Sequence, residues 1–474
     1  MEVQQLYTKC LAEATYYIQS KGEAVIIDPL RETEPYLEKL KEDNATLQFV
    51  FLTHFHADFV SGHVDLAKAT GATIVYGPSA KAEFDFYEGK DNEEFPVGDL
   101  TLKLLHTPGH TLESSSFLLL DETGKEHSLF SGDTLFIGDV GRPDLAVSST
   151  VSKEDLAEKL YYSLHEKVLV LPDDVIVYPN HGKGSACGKN MSAATFDTLG
   201  NQKKVNYALN SNLSKEDFVA QVLEGLATPP QYFPKNAKLN TQVNKDVNQV
   251  ISEGLFPITV AQMINHTSLK YALILDVRSI EAFTKEHIPN SMFIGLDGTF
   301  APWAGALIKE INQPIILIAP EGREKEAIVR LSRIGYDTIL GYLDGELSQW
   351  KENAFKTESV PCVTAASQKL LDEEISFIDV RRADEYKENH VSNAIHVSLQ
   401  EIHEKAKGLD RDQKYYVYCA GGYRSIIAIS VLRQLGFSNL INVDGGFAQI
   451  LKSSISLKNC RQNCDSCACN NHSE

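Results

Sequence analysis

The sequence predicts a multidomain protein of α/β and α+β layers, in which one larger mixed domain precedes two tandem copies of a small doubly wound α/β unit. Three observations carry the prediction. The chain has 474 residues, and at roughly 150 residues per domain that is about three domains. Short β-rich runs alternate with helical segments through residues 1–250. Beyond them, one stretch of sequence occurs twice.

In the first domain, Val25–Asp28 (VIID), Gln48–Thr53 (QFVFLT), Ala72–Tyr76 (ATIVY) and Leu100–Leu105 (LTLKLL) are short apolar runs, the pattern of strands. Thr33-Glu-Pro-Tyr opens a helix, with a cap residue followed by proline in the first turn. Ser116–Leu120 and Ser128–Phe130 flank Glu122-Thr-Gly-Lys, a hairpin signal. Val175–Tyr178 is a further strand, and Ser214-Lys-Glu-Asp opens a helix that stops before Pro229-Pro230.

The repeat pairs Leu275–Leu296 with Ile378–Leu399. Asp276 matches Asp379, Arg278 matches Arg381, His287 matches His390 and Leu296 matches Leu399, all at an offset of 103. Further on, Leu343-Asp-Gly matches Val443-Asp-Gly at an offset of 100. Each copy reads as a strand, Asp-Val-Arg, a helix, a strand, a loop into a helix, and a strand. The domains are therefore expected at 1–250, 251–357 and 358–458, with a polar, Cys-rich tail at 459–474.

The net charge of −19 is unsuited to a nucleic-acid backbone or an anionic membrane surface. It still allows a local basic pocket for a small anion. The start has neither a basic nor an apolar leader region, and no window of about 18 apolar residues spans a membrane. A reducing cytoplasm is the expected compartment. Of eight cysteines, four lie in the tail and the rest are too sparse for a disulfide scaffold.

Thr53-His-Phe-His-Ala-Asp-Phe59 follows a strand, and His110, Asp133 and His181 each sit beside glycine or proline at a strand end. Any one of these histidines alone is an ordinary core or surface residue. Four such elements in this order point to a borderline divalent metal, for which imidazole and carboxylate are suitable ligands.

These residues resemble the metallo-β-lactamase fold, whose pattern is T-H-x-H-x-D-H followed by H, D and H; the resemblance implies an αββα sandwich over residues 1 to about 250. Phe59 departs from it, standing where two-metal hydrolases of the fold keep a histidine. A carbon ring binds no metal, so the second metal position is expected to be damaged. The persulfide dioxygenases of this fold hold one iron. The resemblance carries their ligands onto His54, His110 and Asp133 and implies one Fe(II) per chain. Two histidines and one carboxylate on one face leave positions open for O2 and a sulfur substrate. His56, Asp58 and His181 then orient ligands or substrate. Gly132–Leu145 and Pro229–Asn236 with Leu239-Asn240 also look like this family. Arg142 either meets the anionic part of a thiol carrier or pairs with Asp139 or Asp144. Cys187 is either a gating or redox thiol beside the site or a small buried residue.

In the second copy, Tyr416-Val-Tyr-Cys419-Ala-Gly-Gly-Tyr-Arg424-Ser425 is a strand running into a loop and an apolar helix. Glycines let successive backbone N–H groups turn inward, and the helix N-terminus and Arg424 add positive potential. The pattern predicts a Cys419 thiol shifted toward thiolate, the nucleophilic form. C-x-x-G-x-R, the Asp-Val-Arg strand and Asp444-Gly-Gly resemble the rhodanese family of sulfurtransferases, over both copies. Cysteine phosphatases have a wider loop, sized for phosphate; six residues from Cys419 to Arg424 suit one transferred sulfur. The resemblance implies that Cys419 and Arg424 are catalytic and that Ala420, Gly421, Gly422, Tyr423 and Ser425 bind substrate. The first copy has Ala319-Pro320-Glu321-Gly322-Arg323 at this point, without a thiol and with a loop expected to be shorter. It reads as a degenerate structural or docking copy.

The tail, Cys460, Cys464, Cys467 and Cys469 with His472, reads three ways: a metal or cluster site, a sulfur relay, or incidental thiols. The whole resembles a persulfide dioxygenase–rhodanese fusion. That implies small-molecule thiol persulfides, O2, sulfite and thiosulfate as its chemical partners, and a homo-oligomer, dimer or tetramer. A zinc-dependent thioester hydrolase fused to a sulfurtransferase, and a persulfide carrier or sensor, are the rival readings.

Overall fold

The computed structural model describes residues 2–458 apart from 271, 346, 368–369 and 371–374. The Cys-rich tail therefore lies outside the described residues. The chain forms two compact units. Among the described residues, one runs up to 251 with 304–312 and 329–337; the other is 252–303, 313–328 and the residues from 338 onward. Two segments of the first repeat thus pack with the first domain, a partition that a reading along the chain does not anticipate.

The first unit is built on two six-stranded sheets. Strands β1 (Glu2–Thr8), β2 (Glu13–Ser20), β3 (Glu23–Ile27), β4 (Thr46–Phe51), β5 (Thr73–Tyr76) and β6 (Tyr87–Glu88) lie side by side in chain order. The second sheet holds β7 (Glu94–Val97), β8 (Leu100–His106), β9 (Ser115–Leu120), β10 (Glu126–Gly132), β11 (Ile176–Pro179) and β12 (Asp197–Thr198), also in order. The predicted hairpin is the antiparallel β9–β10 pair. The β1–β2 hairpin, antiparallel over seven residue pairs, was not expected, because EVQQLYT alternates polar and apolar residues too weakly to read as a strand.

Strand alternation sorts the side chains into layers. Ile18, Val25, Ile27 and Phe51 point inward with Leu102, Leu104, Phe117 and Leu119, filling the space between the sheets. Tyr17, Ala24, Ile26 and Val50 point outward and are covered by Tyr36 and Leu40 of the helix Glu34–Glu42 and by Leu66. On the far side, Leu118, Leu129 and Val177 are covered by Ala157, Leu160 and Leu164. Helix, sheet, sheet, helix is the expected sandwich. Of the two predicted helix starts, Ser214 caps its helix by accepting from the Asp217 N–H. Thr33 makes no side-chain cap bond, and proline fixes that first turn instead.

Both repeats are five-stranded parallel sheets. The first has β13 (Pro257–Ile258), β14 (Leu273–Asp276), β15 (Met292–Phe293), β16 (Ile315–Ile318) and β17 (Ile339–Leu343), in the order β13-β17-β16-β14-β15. The second has β18 (Cys362–Thr364), β19 (Ser376–Asp379), β21 (Ala394–His396), β22 (Tyr415–Tyr418) and β23 (Leu440–Asp444), in the order β18-β23-β22-β19-β21. A separate pair, β20 (His390–Val391) with β24 (Leu457–Lys458), closes the second copy. Position for position the two orders are the same, the fold-level counterpart of the sequence repeat. In each, the Asp-Val-Arg segment ends a central strand, with Asp276 gripping Arg278 and Asp379 gripping Arg381 in buried bidentate pairs. No helix among the described residues is long and apolar enough to cross a membrane.

Candidate functional site

The ends of β4, β8, β10 and β11 meet at one edge of the sandwich, and the motif residues stand just beyond them. His54, His110 and Asp133 each offer a ligand atom, and these atoms lie within 4.8 Å of one another. His54 Nε2 is 3.9 Å and His110 Nε2 is 3.4 Å from Asp133 Oδ2. All three side chains are buried, at 2% exposure or less. Both carboxylate oxygens of Asp133 lack a hydrogen-bond partner. A buried carboxylate without a donor is costly unless a cation completes it.

The tautomers suit metal binding. His110 Nδ1 is 2.8 Å from the Arg142 carbonyl, to which it donates, so Nε2 keeps its lone pair. Thr53 donates its hydroxyl proton to Asp28 Oδ2 at 2.8 Å, so Thr53 Oγ1 accepts from His54 Nδ1 at 3.0 Å. His54 Nε2 is again left free. Burial, then the rings of His56, His110 and His181, push the His54 pKa well down and keep it neutral. The donor set suits a divalent metal ion.

Asp28 was read only as the end of a strand, yet it organises the site. It accepts from the Thr53 N–H, the Thr53 hydroxyl, His56 Nε2 and Asn180 Nδ2. Its φ of 53°, uncommon for a residue other than glycine, was the local feature no sequence pattern displayed. Burial disfavours its charge, but His56 and the Thr53 donors outweigh that and lower its pKa. Burial likewise opposes a charged His56 ring, and Asp28 overrides it and raises the pKa. His56 keeps Nδ1 unpartnered, and Phe59 stacks on its ring at 4.3 Å. Glu13 was also missed. It is fully buried, its strand bridges His181, and burial together with Asp58 raises its pKa well above the ordinary range.

Asp58, His181 and Cys187 form a second group of ligand atoms within 4.8 Å of one another. Cys187 is buried, and burial with the Asp133 and Asp58 charges pushes its thiol pKa well up. Of the two placements expected for Arg142, the structure shows the ion pair with Asp144 and not a substrate contact. Its guanidinium grips Asp144 at 2.6 and 2.8 Å and donates to the carbonyls of Ala186 and Ala227. At 4% exposure it is a strut, and its main chain is what touches the site. Gly141 makes that approach possible: a Cβ there would lie 1.9 Å from the Asp133 carbonyl oxygen.

In the second repeat, Cys419 follows β22 at the mouth of the loop. Its Sγ accepts from the Gly422 N–H at 3.0 Å and lies 3.6 Å from Ser425 Oγ, which donates to Asn442 Oδ1 at 2.7 Å. Ala420 and Gly421 are exposed. Gly446, at φ 57°, closes beneath the loop where a Cβ would be 2.3 Å from the Cys419 carbonyl oxygen. Arg424 is directed away from the expected role at the sulfur. Its two terminal nitrogens donate to Glu385 at 2.7 and 2.8 Å, so the local donor to Sγ is backbone. The Tyr423 hydroxyl donates to the Gly295 carbonyl of the first repeat at 2.9 Å. That repeat's own loop is not shortened: five residues, 319–323, separate β16 from the helix Glu324–Ser332, against four, 419–422, between β22 and the following helix in the second repeat. Ala319 holds the position of Cys419, and Glu324 that of Arg424.

Comparison with known proteins matches the same parts. Residues 9–181 match the metallo-β-lactamase superfamily model, and residues 257–353 and 363–453 each match the rhodanese-like domain. Human persulfide dioxygenase ETHE1, mitochondrial, is 30% identical over 250 residues, 51% of this chain and 89% of that protein. A hydroxyacylglutathione hydrolase of Tolumonas auensis is 35% identical over 170 residues, 35% of this chain; the chain spans 60% of that enzyme's length. Among solved structures, a metallo-β-lactamase from Staphylococcus aureus subsp. aureus COL is 33% identical, with a TM-score of 0.64 over 72% of this chain and 98% of that one.

Proposed function

The chain belongs to the metallo-β-lactamase superfamily and carries two rhodanese-like domains behind that fold, and from this premise we propose that it is a persulfide dioxygenase fused to a thiosulfate sulfurtransferase, working in the cytoplasm. The observation that carries the reading is the pairing of two centres on one chain. One is a buried His54–His110–Asp133 set with free Nε2 lone pairs and an unpartnered carboxylate; the other is a cysteine seated in a glycine turn. The similarity to a protein named persulfide dioxygenase, over nearly its whole length, favours this substrate class.

His54, His110 and Asp133 hold one Fe(II). When bound, Fe(II) supplies dioxygen activation and a binding position for the terminal sulfur. The remaining steps belong to the protein. Thr53 and the Arg142 carbonyl fix the ligand tautomers, and Asp28 anchors Thr53 and His56. Burial of the site keeps bulk water from a reactive persulfide. The overall change, R–S–SH with O2 and H2O giving R–SH, sulfite and two protons, balances. In the second repeat, the Cys419 thiolate takes the outer sulfur of R–S–SH, breaking its S–S bond and releasing R–SH, and the Cys419 persulfide passes that sulfur to sulfite, giving thiosulfate and regenerating the thiolate. The Gly422 N–H stabilises negative charge on Sγ at both ends of that transfer. Fusion raises the effective concentration of one centre's product at the other.

The test is metal content with oxygen uptake across a panel of thiol persulfides. One iron per chain and persulfide-dependent oxygen uptake are expected. Cys419→Ser should keep oxygen uptake and accumulate sulfite while thiosulfate formation fails. A second reading, a zinc-dependent thioester hydrolase joined to the sulfurtransferase, is favoured by the hydrolase relatives. Two zincs with no oxygen consumption would establish it and discard the first.

A further inference from the structure

The first repeat has no thiol, and the proposed sulfur transfer gives it no task. The end of its helix Glu324–Ser332 nevertheless packs against the segments behind the metal ligands. The last carbonyls of a helix have no partner within it and need donors from elsewhere. Here the first domain supplies them. The Ser332 carbonyl accepts from Arg31 Nη1 at 2.7 Å, and the Arg333 carbonyl accepts from the Val60 N–H at 2.6 Å. Arg31 also brings a cation to the negative end of the helix. In the second repeat Arg433 and Gln434 hold the matching helix end, just before Leu435-Gly-Phe. They donate to His287 Nε2 and the Asn290 carbonyl of the first repeat, at 2.7 and 2.9 Å. That end docks on the preceding domain in both copies, and in the first copy it docks on the metal loop.

We propose that Arg333 is a positioning residue for the metal centre, and that this is the task of the thiol-less repeat. The proposal rests on the metal site and not on the persulfide reaction. One residue reaches all three segments that support the site. Its carbonyl takes the N–H of Val60, which follows Asp58 and Phe59. Its guanidinium pairs with Glu32 through Nη2 and through Nε, the latter at 3.0 Å. Glu32 lies four residues beyond Asp28, the anchor of Thr53 and His56. Nη1 donates to Cys10 Sγ at 3.5 Å, in the turn whose Ala12 carbonyl accepts from His181 Nδ1 at 3.2 Å. The segments 29–32 and 59–62 are themselves laid on one another. The Ser61 hydroxyl and the Gly62 N–H donate to the Pro29 carbonyl at 2.8 and 3.2 Å, and a Cβ at Gly62 would lie 2.4 Å from the Leu30 carbonyl oxygen. A displacement of one is passed to the other. The Arg333 and Glu32 side chains are each 16% exposed, so solvent and salt screen their pair little.

The test measures Fe(II) and Zn(II) dissociation constants of the full-length protein by anaerobic chelator competition, well below the thermal transition of each variant. Arg333→Ala should weaken metal binding about tenfold or more, the scale for losing an outer support of a metal ligand. Arg333→Lys keeps the charge and one donor for Glu32 but lacks the planar fork, so about threefold or more is expected; this variant decides the matter if Arg333→Ala does not fold. Tyr336→Phe is the control for lost packing alone. It removes a buried bond inside the first repeat, from the Tyr336 hydroxyl to the Ile308 carbonyl at 2.6 Å. It should lower the unfolding temperature and leave metal affinity within about threefold of wild type. Smaller losses in either Arg333 variant, or a larger loss in Tyr336→Phe, overturn the proposal. Oxygen uptake is a separate readout: a wild-type protein that held zinc and consumed no oxygen would refute the dioxygenase reading and leave this test intact.

Discussion

Thr53→Val tests whether the hydrogen-bond relay behind His54 sets metal affinity. The Thr53 hydroxyl donates to Asp28 Oδ2 at 2.8 Å and accepts from His54 Nδ1 at 3.0 Å. Valine keeps the shape and removes both bonds. Asp28 Oδ2 retains Asn180 Nδ2 at 2.9 Å, so the main loss falls on the buried His54 N–H. An orphaned buried donor costs about 1–3 kcal/mol. Loss of an outer partner of a metal ligand weakens binding by roughly 10–100-fold, or about 1.4–2.8 kcal/mol. The two routes agree. Thr53→Ser retains the hydroxyl and serves as the control, since it removes only a methyl group. Dissociation constants for Fe(II) come from anaerobic competition with a chelator. A weakening of at least tenfold in Thr53→Val and less than threefold in Thr53→Ser is expected. Equal values for the two variants would refute the relay.

Asp337→Ala should destabilise the first unit. It strands Arg31, 2% exposed, which donates to both Asp337 oxygens at 2.6 and 2.7 Å. Removing one partner of a buried pair costs about 3–5 kcal/mol. Asp337 is 24% exposed, and Arg31 keeps the Ser332 and Lys245 carbonyls, so a loss of about 2–3 kcal/mol in urea unfolding is expected; under 0.5 kcal/mol would contradict it. Glu385 should make the second repeat sensitive to acid. Burial alone would raise its carboxyl pKa, but the Arg424 pair overrides burial and lowers it to about 2. A depressed carboxylate contributes stability above its unfolded value of about 4.3, and that contribution is lost as pH falls toward about 2. Wild type should therefore lose more stability than Glu385→Gln between pH 5 and pH 3 in thermal unfolding. Parallel profiles would dismiss the pair as a stabilising element.

Much of the site was legible because its chemistry is carried by short motifs at strand ends. His54, His110 and Asp133 converge as the resemblance implied, since each follows a strand of one sandwich edge. The repeat was legible because identical spacing recurs, and the two sheets share one strand order. Asp28 was illegible: a carboxylate at the end of an apolar run announces nothing until the fold brings Thr53, His56 and Asn180 to it. Glu13 was hidden for the same reason, in a hairpin too polar to read as a strand. Arg424, assigned to the sulfur, was misread, and of the two readings of Arg142 the ion pair with Asp144 is the one observed. A guanidinium near a motif looks available in sequence, but a bidentate carboxylate, Asp144 or Glu385, takes its donors once the chain folds.

By itself, the sequence determined the layered fold class, the duplication, the loss of the thiol at Ala319 and the motifs that stand at the strand ends of each domain. These follow from periodicity and from residue types within a few positions of one another. Only the tertiary structure decided that residues 304–312 and 329–337 of the first repeat pack with the first domain. It alone brought Cys187 to Asp58 and His181 and turned Arg424 to Glu385. Such outcomes depend on distances between loops remote in sequence and on competition among buried partners for each charge. Folding settles that competition by leaving as few buried polar groups unpaired as it can.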